Sequence, residues 1–312
     1  MKSMKTINKI ILGIGLIGIT YSCTDLEEEL LGDLTSDFSL EGISTGGSGG
    51  GGDALTGVFN AVRNAGTASH GGYFSVQSVS SDEMAITQKG GDWYDGGILL
   101  QLHQHEFAVD NGIIGNAWGV AYGAVNTCNR LIYQFSSIEG ADAYEAELRA
   151  VRAFWYFHLV DMYGNVPLST DFTETEAKAN SSRTEVYNFI KSELDAVIPL
   201  LTDKKDGTTY GRMNKWAALV LRMKLQLNAS TWTGSAAWAG AKADADAIIN
   251  SGLYSLEATY SDNFKTDNSG SSENIFVVPY DEVFAGGFNW AAMTLHYASQ
   301  NTFNLTFQPW NG

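Results

Sequence analysis

The sequence is short of cysteine, proline and positive charge: its 312 residues hold 2 Cys, 4 Pro and 19 Lys and Arg against 35 Asp and Glu. Each shortage removes a class of protein. Two cysteines cannot staple a fold, and Cys23 lies where an exported chain would be cut, so no disulfide framework is left to build. Cys128 is expected to be a small buried hydrophobe. A formal charge of −16 and a pI near 4.6 offer no cluster of cations to release counterions from a phosphate backbone, which excludes nucleic acid as a partner. The apolar run Ile10 to Ile19 is half the ~20 residues a helix needs to cross a bilayer. No Gly-x-Ser-x-Gly elbow, phosphate-binding loop or dinucleotide fingerprint occurs, and no cofactor is implied. Histidine clusters only as His103-x-His105. With no third ligand at suitable spacing, the pair is expected on a helix or loop surface rather than on a metal.

What is present begins with an address. Lys2, Lys5 and Lys9 precede the apolar run, the build of a signal peptide over residues 1–22. Ile19-Thr20-Tyr21-Ser22-Cys23 then resembles a bacterial lipobox, whose cysteine is diacylated and begins the mature chain, although Tyr21 stands where a small residue is commoner. Simple cleavage, leaving Cys23 an incidental thiol, is the alternative. Acyl chains would anchor at roughly 0.8 kcal/mol per buried CH₂. Residues 23–52 read as a linker, acidic at TDLEEELLGDL and flexible at GGSGGGG, Gly46 to Gly52. The acidic run is similar to those beside the lipid cysteine of surface-exported lipoproteins, and equally readable as a solvated tail. As a random coil this segment reaches roughly 30 Å, so the body rides clear of the membrane.

From residue 53 to 252 the periodicity is helical. Asp53 can cap a helix in which Leu55, Val58, Phe59 and Val62 share one face. A second helix is expected from Ile113 to Phe135, and a third from Ala141 to the Gly164-Asn165-Val166-Pro167 stop. At the centre of the third, Phe154-Trp155-Tyr156-Phe157 sweeps about 300° around the axis, so that helix must be packed on most sides. Ser182-Arg183-Thr184-Glu185 is a capping box for a fourth, Met213 to Ser230 is a fifth, and alanine-rich Ser235 to Ser251 a sixth. Antiparallel helices of this kind suggest a mainly α fold of tetratricopeptide-like stacked helix pairs. Trp118, Trp155, Trp216 and Trp238 sit at helical spacing and are expected in the core, with Arg149 paired to Glu145 one turn away. Asn274 to Tyr280, NIFVVPY, reads as the one strand.

The run GGDWYDGG, residues 90 to 97, sets two rings among glycine and aspartate. A pyranose has an apolar C–H face and a rim of hydroxyls, so its site needs a flat exposed ring with acceptors at the edge. Trp93 or Tyr94 can supply the platform, Asp92 and Asp95 the acceptors, and the glycines close backbone approach. Trp93 folded back as a plug beneath the loop, or a contact with a partner, are the other readings. Gly286-Gly287-Phe288-Asn289-Trp290 repeats the chemistry, with Asn289 and Trp290 as candidates. Hydrolysis is not expected, because a glycosidase needs two carboxyls placed across a cleft, one with a raised pKa, whereas Asp82 and Glu83 are adjacent and Asp92 and Asp95 lie on a loop.

The stretch Ala150 to Leu168, AVRAFWYFHLVDMYGNVPL, is similar to the Arg-Ala-Phe helix and Tyr-Gly-x-Val-Pro-Leu turn of the SusD/RagB family of outer-membrane nutrient-binding lipoproteins. SSDEM, GGDWYDGG, the Trp118 to Asn129 helix, RTEVYNFI, GRMNKWAALVLRMKLQLNA, INSGLYSL and IFVVPYD stand around it in the family's order. The resemblance implies a tetratricopeptide-like scaffold with an irregular C-terminal region, and a ligand surface drawn from an N-terminal loop together with a C-terminal excursion. It also implies a SusC-like TonB-dependent transporter as partner, to which a cell-surface-facing, lipid-anchored lid delivers oligosaccharide. A RagB-like peptide-capturing lipoprotein and a ligand-free structural adaptor of the transporter are the alternatives. Family members are longer, so the chain is expected to be an N-terminal fragment, with residues 253–312 a partial, truncated C-terminal region.

Overall fold

The computed structural model describes residues 55–63, 70–89, 92–280 and 293–310. The signal peptide, Cys23, the glycine linker and the Asp53 cap lie outside the described residues, as do Asn289 and Trp290. All described residues belong to one compact unit.

Helices run in the order α1 Thr56–Ala61, α2 Tyr73–Ser78, α3 Ile98–Gln104, α4 Gly112–Phe135 and α5 Asp142–Tyr163. After them come two short strands, β1 Val166–Pro167 and β2 Asn180–Ser181, paired antiparallel. The rest are α6 Arg183–Val197, α7 Lys215–Leu227, α8 Ala229–Thr233, α9 Trp238–Asn250 and α10 Ser299–Phe303. Local chemistry sets most of these bounds. Asn111 caps α4 by accepting from the Ile113 and Ile114 amides, and Asn214 caps α7 by accepting from those of Trp216 and Ala217. The expected capping box is present at Ser182 and Glu185. α5 ends at Gly164, whose φ of 76° suits glycine, and a Cβ there would strike the Arg183 guanidinium.

α4 packs along α5, α5 along α6, and α9 along α7, which is the stacked-pair architecture expected of the sequence. α5 is the central member. Trp155 and Tyr156 are buried and Phe154 and Phe157 partly so, because the ring sweep finds a neighbour on nearly every side. Cys128 is fully buried, and burial pushes its thiol up to about 12. Ionic ties cross between helices: Arg152 and Arg149 both reach Glu193, at 2.6 and 2.7 Å, and Arg222 reaches Asp244 at 2.6 Å.

Four expectations are corrected. Asn274 to Tyr280 forms no strand, since an apolar β-branched run becomes one only with a neighbouring edge to pair with. Arg149 turns from Glu145 to the carboxylate of Glu193, where a second guanidinium shares the site. Trp238 is 67% exposed: the buried stripe Ala241, Asp244, Ile248 runs back to Ala237, leaving Trp238 about 90° away around the axis. The fifth helix breaks at Asn228, whose side-chain amide donates to the Lys224 carbonyl at 3.0 Å.

Candidate functional site

The 92–97 loop is held from both ends. Lys89 and Asp92 exchange both main-chain hydrogen bonds at 3.0 Å, and the Asp92 carboxylate accepts the Trp93 amide at 2.9 Å. The loop then turns through positive φ at Trp93 (63°), Asp95 (45°), Gly96 (68°) and Gly97 (82°). For a non-glycine residue that conformation costs roughly 1 to 2 kcal/mol, so surrounding contacts must enforce it.

Trp93 supplies the enforcement. It is only 6% exposed, and its indole N–H donates to the Trp310 carbonyl at 2.8 Å. Its ring meets those of His70 and Trp310 at centroid separations of 6.0 and 6.3 Å, with the Lys89 ammonium 5.7 Å from its centre. Trp93 is therefore the plug beneath the loop, and the platform reading of this residue is corrected. Partners for its ring exist after all, some close in the chain and others, Met293 and Trp310, far along it. Val79, Ile86, Leu99, Leu102, Ile113 and Met293 join it in a core cluster of its own. A cavity of about 360 Å³ adjoins that cluster, bordered by Phe74, Met84, Ile86, Lys89, Trp93 and Met293.

Plugging by Trp93 leaves its neighbour outside. Tyr94 is 53% exposed, and its ring is seated over Gly97, where a Cβ would come within 3.6 Å of the hydroxyl. Asp92 and Asp95 are exposed on either side of it along the chain. Close behind lies His70, whose imidazole is lowered by burial and partly restored by the Asp95 charge. Trp310, 42% exposed, adds a second ring edge 5.7 Å from His70. The arrangement thus presents an exposed phenol, an indole edge and acidic acceptors on a locked backbone.

His103 and His105 stand exposed at the end of α3, where the His105 Nε2 lies 2.6 Å from the Ser80 carbonyl oxygen. The sequence reading did not single out His70, Lys89, Met293 or Trp310 for this site. The one available signal for Trp310 was the aromatic, turn-prone Phe307-Gln308-Pro309-Trp310 near the end of the chain.

Stacked helix pairs define a helical-repeat scaffold, and the 92–97 loop presents rings and carboxylates on it. A family model described as SusD-like, "Starch-binding associating with outer membrane", matches residues 59–227, more than half of the chain. The chain belongs to this SusD-like family. It is 32% identical over 123 residues to the starch-binding protein SusD of Bacteroides thetaiotaomicron, a match covering 39% of this chain and 22% of that one. It is 23% identical over 194 residues to the SusD-like protein P25 of Formosa agariphila, covering 59% of this chain and 35% of the relative. Among solved structures, a SusD-like carbohydrate-binding protein of Bacteroides fragilis superposes with a TM-score of 0.65 at 19% identity, over 79% of this chain and 48% of the other. Surface glycan-binding protein A of B. thetaiotaomicron, in complex with laminarihexaose, does so at 0.66 and 21% identity, over 82% and 56%. The chain thus spans about half the length of the solved structures it matches, and these likenesses establish the fold.

Proposed function

We propose that this protein is a non-enzymatic, surface-anchored binder of oligosaccharide that delivers its ligand to a SusC-like TonB-dependent transporter. Cys23 carries the lipid anchor in this reading, at the outer membrane. The observation that carries it is Tyr94: a half-exposed phenol flanked by Asp92 and Asp95, on a loop that a buried tryptophan holds rigid. A sugar's C–H face stacks on the ring, and carboxylate acceptors take its hydroxyls in charge-assisted hydrogen bonds. Rigidity matters because a loop already in its bound form loses little entropy when the ligand arrives. Asn289 and Trp290 belong to the same proposal on their chemistry alone. Support comes from the relatives, one described as starch-binding and one solved with laminarihexaose. Among the described residues no helix is long and apolar enough to cross a membrane.

Affinity electrophoresis of the full-length protein through gels containing laminarin or starch tests this reading. Retardation in at least one gel is expected, and unchanged mobility in every polysaccharide gel tried rejects it. The apolar cavity beside Trp93 favours a second reading, capture of peptides with an apolar side chain. Peptide capture predicts retained ligand binding after Tyr94→Ala and no retardation by glycans. A ligand-free adaptor of the transporter would co-purify with the barrel while every ligand screen stays blank.

A further inference from the structure

A second pair of rings is exposed far from the 92–97 loop. Tyr133, near the C-terminal end of α4, is 57% exposed, and Phe172, on the β1–β2 connection, is 38% exposed. Their centroids lie 6.2 Å apart with planes tilted by 40°. The other end of α4 packs against the Trp93 cluster through Ile113. Twenty residues of helix, about 30 Å, separate Ile113 from Tyr133, so the second ring pair lies at the opposite end of α4 from the Trp93 cluster.

The connection that carries Phe172 is fastened from below by buried side chains. Tyr122 donates to the Pro167 carbonyl at 2.8 Å, and Tyr156 both donates to the Ser169 carbonyl and accepts from its amide, at 2.8 and 2.7 Å. The Asn129 amide donates to the same Ser169 carbonyl at 2.9 Å, and Arg152 donates to the Thr170 carbonyl at 3.2 Å. Arg152 is fixed in turn by Glu193 and by the Asn129 oxygen at 2.8 Å. An all-helical core has no need to bury such a network for its own packing, since apolar residues of similar volume are often as stable or more so. Its visible effect is to hold the backbone just before Phe172.

Tyr133 itself and Asp171, the residue before Phe172, carry open polar groups. The Tyr133 hydroxyl has no protein partner among the described residues. Asp171 Oδ1 accepts from the Thr173 amide and hydroxyl at 2.8 and 2.7 Å, while Oδ2 has no protein partner among the described residues. Those bonds from Thr173 hold the carboxyl below its usual range, so it stays an ionised acceptor near neutral pH.

We propose that Tyr133 and Phe172, with Asp171 next to Phe172 in the chain, form a second platform for a pyranose ring, independent of the Tyr94 loop. The occupant is an uncharged or weakly charged saccharide: the ring pair matches its C–H face, and Asp171 repels an anionic ligand. This inference rests on the oligosaccharide reading above. Its consequence is bivalency, because a polysaccharide long enough to touch both sites is retained more strongly than either site alone would hold it.

Titration calorimetry of the full-length protein with laminaritriose and maltotriose counts the sites, since such short ligands occupy them one at a time. The expected result is two sites per chain in the wild type and one in Tyr133→Ala/Phe172→Ala, with at least tenfold weaker retention of that variant by polysaccharide. Both substitutions are at the surface, and an unchanged melting temperature checks the fold. A single wild-type site, lost in Tyr94→Ala and untouched in the double variant, overturns the second platform and leaves the proposed function standing. A single site lost only in the double variant keeps the Tyr133 platform and removes the Tyr94 one. Absence of any saccharide binding removes both.

Discussion

Trp93 and Tyr94 are adjacent, yet one is sealed and the other open, and the cause is a backbone twist. Positive φ at Trp93 turns the indole inward and passes the phenol to the solvent side. If Trp93 is the plug, Trp93→Ala costs about 3 to 5 kcal/mol, as other buried ring-to-alanine changes do, and urea unfolding measures it. Neither fate was legible locally. Part of the packing around Trp93 could not be read locally because it arrives from Met293 and Trp310, 200 and 217 residues along the chain. Trp238 failed in the opposite sense, since helical spacing alone does not say which side of a terminal turn faces the core. His158 supports a separate prediction. Its ring lies 4.3 Å from Phe154 and 4.4 Å from Tyr73, and neither of its nitrogens has a partner among the described residues. Burial, helped by the Lys224 charge and with the Tyr73 hydroxyl as its other titratable neighbour, pushes the imidazole down to about 3. Between that value and the ordinary 6.5 the unfolded chain binds the proton and the folded one does not. Stability from this group is therefore complete above pH 6.5 and falls as the pH drops, by up to ~1.4 kcal/mol per pH unit. His158→Phe is expected to raise the melting temperature at pH 5 relative to wild type, with a much smaller gain at pH 8.

Single elements were the most legible level, because their ends are written in adjacent residues. The Ser182 and Glu185 box, the Asn214 cap and the Gly164 stop are local chemistry, and α4, α5 and α6 fall within a residue or two of the expected bounds. Ser182→Ala should cost about 1 kcal/mol by stranding an amide at the start of α6, and thermal melts would show it as a shift of a few degrees. What failed among the elements was pairing. NIFVVPY has the composition of a strand and no edge beside it, while the two short strands that do form, Val166–Pro167 and Asn180–Ser181, lack any run long enough to announce them. The short helices Tyr73–Ser78 and Ile98–Gln104 went unread for the same reason, being less than two turns each.

At the scale of the whole molecule, helix pairs make a scaffold on which the described residues display two small clusters of rings. Fold class was readable from periodicity, and family from the ordered motifs around Ala150 to Leu168. The candidate loop was only half readable: the sequence marked its rings and carboxylates, but which ring faces water depended on residues that pack on it from elsewhere in the chain. Binding energy is expected to concentrate on Tyr94, with Asp92 and Asp95 orienting the sugar and Trp93 acting through the loop it supports. Titration calorimetry of the wild type and Tyr94→Ala with laminarihexaose and maltohexaose tests this most directly, because removing an exposed ring leaves the fold intact. The prediction is a measurable affinity for at least one of the two, weakened tenfold or more at the loop site by loss of the phenol. Equal affinity in the two proteins would contradict it.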